Sequence, residues 1–285
     1  VKQMASLKPN DASSLKEFRK VVGAALRTMI HDGLPAPEEV EVKEDGQEAS
    51  KTILFQKIHL GRKGKNEQIP VMRITPPKPE RILIWIHPAG KSSLIKNGEL
   101  DPLVEELQTK NTTILAPDVF GTGEFKNASI PTVNEQFAGF TFGYNRPLLA
   151  NRVHDILTVV AEARRDKNVK PIDLVGFEQA GPWVLLARAL CGDWVHRTAV
   201  DMNQFRFDNV LTTSDKMMLP GALKYGGLPA FAALCAPGEL FLHNHRGMGI
   251  GGYVRDAYKA AGQERHFHHQ GDKASSEKAV QWLLR

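Results

Sequence analysis

The stretch "DLVGFEQAGPWVLL", residues 173 to 186, reads as a buried strand that stops at a sharp turn and restarts as a helix. A turn of the form G-x-S-x-G holds a nucleophilic serine in a strained conformation, and its neighbours must be small so that strand and helix can approach. Here Gly176, Ala180 and Gly181 supply the small partners, while Glu178 stands where the hydroxyl would be. Three roles are open to such a carboxylate. It can attack an alkyl carbon as a nucleophile. It can act on water as a general base or acid if a partly dry cleft raises its pKa. It can also do no chemistry and be held by a nearby cation or histidine, since a buried carboxylate needs a partner. The candidate partners are His268 and His269 in "ERHFHHQGDKASSEKAV", whose register leaves the choice between them open, and Asp201, closing "RTAVDM", as a substitute acid.

A second candidate lies in "IWIHPAGKSS", where a strand ending at His87 runs into a tight loop. Pro88 has no N–H, so any amide donor aimed into a cleft must be Ala89 or Gly90; a plain Gly/Pro turn is the competing reading. Gln179, next to the elbow residue, is a further cleft candidate. In "FAGFTFGYNRPLL" four aromatic residues alternate with small ones and lead to Arg146, which can clamp a carboxylate, Glu178 among them. The histidines at 243, 245, 266, 268 and 269 permit chelation, but no cysteine or carboxylate pattern accompanies them, so neither a metal nor a cofactor is expected. "FGTGE" lacks the spacing of a phosphate loop and is better placed as a turn that brings Asp118 and Glu124 to the cleft rim.

These residues need a scaffold, and the hydrophobic pattern predicts one. Short, unbroken apolar runs at 81–87, 112–118, 172–177, 197–202 and 239–244 suit parallel strands covered on both faces. Helical stretches fall at 98–109, 147–165, 179–191 and 252–262, with a last amphipathic helix at 274–285. The alternation predicts a doubly wound, mostly parallel α/β sheet with ligands at the carboxyl ends of its strands. Ahead of it, residues 13–31 read as an amphipathic helix, 35–50 as an acidic loop, and "KTILFQKIHL" with "IPVMRIT" as an antiparallel hairpin. The expected organisation is residues 1–50 as a helix and linker packed on a main domain of residues 51–285.

The chain has 285 residues, 42% hydrophobic and 24% charged, which is a globular composition. Its net charge of +5 is spread along the sequence without a basic block, so nucleic acid is not expected as a partner. No run approaches a membrane span and no signal peptide is visible. Cys191 and Cys235 sit in apolar contexts and read as small buried side chains. The chain begins at Val1, which fits a piece of something longer, and its first residues give no localisation.

From about residue 50 to the end, "WIHPAGK", "APDVFGTGE", "GFTFGYNRPLLANRVHDIL" and "LVGFEQAGPW" together resemble the α/β-hydrolase superfamily, most closely its acetyl xylan esterase and dienelactone hydrolase-like branches. The resemblance implies an oxyanion loop at 87–91. It also implies a triad of Ser or Cys at the elbow, an acid after the seventh strand and a histidine after the eighth. The sequence departs from that triad twice. Glu178 replaces the nucleophile, and no carboxylate occurs in "HRGM", residues 245 to 248. Aspartate stands at the same elbow in haloalkane dehalogenases and epoxide hydrolases, which keeps a nucleophilic Glu178 open. Loss of nucleophile and acid together points rather to a degenerate site with a structural or glycan-binding role in a larger esterase. Such a chain would have an N-terminal esterase domain as partner and, as part of a carbohydrate esterase, a secreted or periplasmic location. The alternative is an active hydrolase that uses Glu178 with a histidine on acylated sugars or small esters.

Overall fold

Helix α1 (Ala12–Ile30) begins where Asp11 accepts the Ser14 N–H at 2.8 Å while the Asp11 N–H donates to the Ser14 hydroxyl at 3.0 Å. This reciprocal cap satisfies two of the N–H groups a helix start leaves unpaired. Leu15, Phe18, Val22, Leu26 and Ile30 share one face and are buried. The computed structural model describes residues 4, 6–49, 53–125, 130, 132–247 and 249–285.

Nine strands form the main sheet: β1 (Val40–Ala49), β2 (Leu54–Arg62), β3 (Ile69–Thr75), β4 (Arg81–Ile86), β7 (Thr112–Pro117), β8 (Ile172–Gly176), β9 (Arg197–Asp201), β10 (Glu239–His243) and β11 (Phe267–His269). A separate two-residue ladder pairs β5 (Ile95–Lys96) with β6 (Glu99–Leu100). The sheet order is β1-β2-β3-β7-β4-β8-β9-β10-β11. The first three strands are antiparallel to their neighbours, and from β7 to β11 every pairing is parallel. Helices α2 (Pro102–Thr109) and α8 (Ser276–Leu284) cover one face. The other carries α1, α4 (Leu148–Ala163), α5 (Gly181–Arg188), α6 (Gly227–Ala233) and α7 (Gly251–Ala260). Central strands feed both cores, because successive side chains of a strand point to opposite faces. In β4, Leu83 and Trp85 pack toward α2 and α8, while Ile82, Ile84 and Ile86 pack toward α4 and α5.

Four sequence expectations are revised. Residues 40–49, expected as part of a loop, form edge strand β1, paired with β2 from Val40↔Arg62 to Ala49↔Leu54. An edge tolerates the charged side chains that made this stretch look loop-like. The hairpin expected to begin at Lys51 starts at Leu54; Lys51 and Thr52 lie outside the described residues. The helix expected from residue 98 starts at Pro102 under an Asp101 cap, because Asn97 and Gly98 (φ 55° and 85°) make the turn between β5 and β6. Finally, Phe267–His269 is a strand, so His268 and His269 lie within the last strand rather than in the loop after it.

Candidate active site

The turn between β8 and α5 has the strained geometry of a strand-to-helix elbow. Glu178 has φ 49°, a left-handed conformation that costs a side-chain-bearing residue on the order of 1–3 kcal/mol and persists only where the surroundings impose it. Those surroundings are close. A Cβ on Gly176 would lie 2.8 Å from Val184 Cγ2, and one on Gly181 would lie 1.7 Å from the Asp201 carbonyl oxygen. Pro182, in the first turn of α5, needs no N–H partner there. Sequence and backbone therefore agree at this turn, and Glu178 is presented at the carboxyl end of the sheet.

What surrounds Glu178 differs from the expectation. A cavity of about 50 Å³ is lined by Glu178, His87, Asp201, His243 and Lys273, with Ala274, Ser276 and Ala279. Lys273 stands between β11 and α8, the place where the resemblance implies the histidine. Its Nζ lies 3.6 Å from Asp201 Oδ2, and Asp201 Oδ1 accepts the Asn203 N–H and Asn244 Nδ2, each at 2.7 Å. Asp201 is thus tied down by neutral donors and a half-exposed ammonium, a pair contributing no more than about 1 kcal/mol. It orients no imidazole by hydrogen bonding among the described residues.

Two histidines border Glu178, and both spend Nδ1 on the backbone. Ala274 N–H donates to His243 Nδ1 at 3.2 Å, and Ala89 N–H donates to His87 Nδ1 at 3.0 Å. Burial pushes the His243 pKa down to about 4, against the pull of Asp201 and with help from Lys273 and Lys278. Burial also lowers that of His87, opposed by Glu178. Both rings are neutral at pH 7, and with Nδ1 accepting, the proton resides on Nε2. Each then offers a donor rather than a basic nitrogen on its second edge.

The candidate oxyanion loop is closed on itself in the same way. The Ala89 N–H goes to the His87 ring, and the Gly90 N–H to the His87 carbonyl at 2.9 Å. Gly90 is needed for close approach: at φ 65°, a Cβ there would fall 1.9 Å from Asp118 Oδ1. Asp118 is buried and accepts the Lys91 N–H at 2.7 Å, Lys91 Nζ at 2.6 Å and the Glu124 N–H at 3.0 Å. Lys91 Nζ also reaches Glu124 at 2.5 Å. This knot locks the β4 loop to the β7 loop, and Glu124 reaches the rim as expected.

The remaining sequence candidates are dispersed. His268 shares the α8 face, edge-on to Trp282, with Nε2 at 3.2 Å from Arg285. His269 is on the opposite face, where Nδ1 lies 3.2 Å from His245 Nε2 and Nε2 lies 3.3 Å from Arg255. Burial is the first cause lowering both pKa values. Neither ring contacts Glu178 or lines its cavity. Arg146 reaches the His31 carbonyl at 3.4 Å and lines a different cavity, so it is not a clamp on Glu178. Among the "HRGM" residues, Met248 lies outside the described residues. Not expected beside Glu178 were Lys273, His87 and His243; His87 directly follows β4 and His243 ends β10, the places where a parallel sheet binds ligands.

Beside the elbow opens a much larger cavity, about 1050 Å³, lined among others by Ala89, Lys91, Gln179, Arg152, Trp183 and Lys216. Gln179 and Ala89 are exposed on it. A second cavity of about 580 Å³, lined by Phe142 and Arg146, shares Ile130 and Lys216 with the first. Beside it runs α3 (Ala138–Tyr144), which carries the exposed aromatic rings of Phe140 and Tyr144.

The sheet order, the parallel crossovers and the elbow at the end of β8 define an α/β-hydrolase fold. Solved structures share it. A Bacteroides fragilis NCTC 9343 protein, described provisionally as an acetyl xylan esterase, superposes with TM-score 0.70 at 13% identity, over 94% of this chain and 80% of that one. A glucuronoyl esterase from Teredinibacter turnerae T7901 gives TM-score 0.62 at 13% identity, over 96% and 84%. An acetyl xylan esterase from Paenibacillus sp. R4 gives 0.52 at 12% identity, over 100% and 98%. No protein-family model and no curated protein sequence matches the chain.

Proposed function

We propose that this chain is a carbohydrate-esterase-related α/β-hydrolase domain that binds glycan in its large cleft and does not hydrolyse esters through the elbow. The observation that carries this reading is the lining of the small cavity at the elbow: a carboxylate, Glu178, at the turn, and Lys273, whose Nζ is 3.6 Å from Asp201, where a basic imidazole is required. A Ser-type mechanism needs a nucleophile, a base and preorganised N–H donors. Here the first is replaced, the neighbouring imidazoles are donors, and the Ala89 and Gly90 amides are already bonded.

The cleft itself remains open and of ligand size, and the exposed rings of Phe140 and Tyr144 on α3, beside the adjoining second cavity, suit stacking on sugar faces. The glycan class comes from the esterases that share the fold, acetyl xylan and glucuronoyl esterases among them. Within a larger esterase, such a domain would hold substrate for an N-terminal catalytic partner. Titration calorimetry with acetylated xylan fragments, beside an acetate-release assay on the same sample, tests the reading. Binding without release is the expected result. Release above background, or no binding of any xylan fragment, would overturn it.

A further inference from the structure

Arg152 occupies the wall of the large cavity with its guanidinium over the Trp183 ring, 4.1 Å from the ring centroid. The residue is only 6% exposed, and its Nε donates to the Phe120 carbonyl at 3.1 Å. Its two terminal nitrogens make no hydrogen bond or ion pair among the described residues. Arg188, equally buried but away from the cleft, shows the usual solution, with Nη1 on the Gly192 carbonyl and Nη2 near that of Cys235. A buried cation is ordinarily paired, so a guanidinium left with free donors beside a cavity is arranged for an anion that enters it.

Among the described residues no carboxylate takes that place, although Asp155 is near enough to raise the Arg152 pKa. Asp155 uses one oxygen on the Phe120 N–H at 2.7 Å and forms no ion pair with Arg152; burial pushes its pKa up to about 7, which weakens it as a counter-ion. Asp118 and Glu124, the acids lining the cavity, are both bound to Lys91. Lys216, exposed at the boundary of the two cavities, has no ion pair among the described residues. Among the described residues, the unpaired charges lining the cleft are therefore cationic. Burial lowers the Arg152 pKa only to about 10, so the group stays charged at neutral pH.

We infer that Arg152 binds a ligand carboxylate in this cleft, with Lys216 as a second charge at its edge, and that the glycan it prefers is one carrying a sugar acid, bound more tightly than a neutral acylated sugar. This rests on the reading of the cleft as a glycan site. The planar fork of arginine matches the two oxygens of a carboxylate, and the Trp183 face fixes its orientation before the ligand arrives. A neutral ester of the same sugar has no charge to satisfy the free donors.

The test is titration calorimetry of the chain with D-glucuronate, its methyl ester and glucose, beside a xylan fragment. Glucuronate is expected to bind at least about tenfold more tightly than the ester or glucose. Arg152→Gln, checked for native unfolding behaviour, should remove that preference, and Lys216→Ala, on an exposed side chain, should reduce it. Equal binding of acid and ester, or a preference that survives in folded Arg152→Gln, would overturn the inference. So would binding of the xylan fragment with none of glucuronate, which leaves the glycan reading intact. Binding of neither would bring down both.

Discussion

Acid is predicted to weaken this protein at the elbow, and His243 sets how much. Its ring is 4% exposed, and Nδ1 is committed to the Ala274 N–H. Burial, opposed by Asp201 and reinforced by Lys273, holds its folded pKa near 4, against 6.5 for the free side chain. Above pH 6.5 the ring is neutral in both states and its full contribution to stability is present. As pH falls from 6.5 to 4 the unfolded chain binds a proton that the folded chain does not, so stability is lost through that window. A gap of about 2.5 pH units corresponds to roughly 3 kcal/mol by pH 4, a large share of the 5–15 kcal/mol that typically separates folded from unfolded. Asp155 works the other way over part of the same range, so the raw pH profile mixes the two. The difference between native protein and His243→Gln, measured by urea unfolding at steps from pH 7.5 to 4, isolates the histidine. The native chain's advantage should shrink by about 3 kcal/mol across the window. A difference that stays constant with pH would refute the buried, neutral imidazole.

The other predictions concern the elbow and its supports. Asp155→Asn keeps an acceptor for the Phe120 N–H and removes a carboxyl whose pKa is raised by burial from 3.8 to about 7. The native penalty accumulates as pH rises from 3.8 to 7, so the variant should gain up to about 4 kcal/mol at pH 8 and nothing at pH 4, read by thermal melts. Gly181→Ala drives a methyl to 1.7 Å from the Asp201 carbonyl oxygen. Its cost should reach or exceed about 3 kcal/mol, the upper end of ordinary overpacking, seen as a lower urea midpoint. Glu178→Ser restores the elbow hydroxyl without a basic nitrogen or free loop amides, so p-nitrophenyl acetate turnover should stay at background; a burst of nitrophenol would contradict this.

The sheet was legible because its central strands are buried on both faces, which leaves runs such as Ile82–Ile86 and Leu240–Leu242 without polar interruption. The elbow was legible because Gly176 and Gly181 are required by contacts no side chain can share. The edges were not. Strand β1 carries one buried residue, Val40, and β11 is three half-exposed residues whose pairing with β10 supplies most of what makes them a strand. Missing β11 moved the expected partner of Glu178 onto His268 and His269, four to five residues before Lys273. Helix α3 was hidden for a related reason: Phe140 and Tyr144 face outward and Phe142 lines a cavity, so their spacing follows no core. Arg152 lay within the predicted helix 147–165, and only the fold shows that its position opens onto the cleft.

The central claim is that Glu178, beside Lys273, does no ester chemistry. The most direct measurement is hydrolysis of p-nitrophenyl acetate and of acetylated xylan by this chain, beside a Glu178→Gln variant of equal thermal stability. The account predicts background rates for both proteins on both substrates. Activity in the native chain that disappears in the variant would make Glu178 catalytic and contradict it.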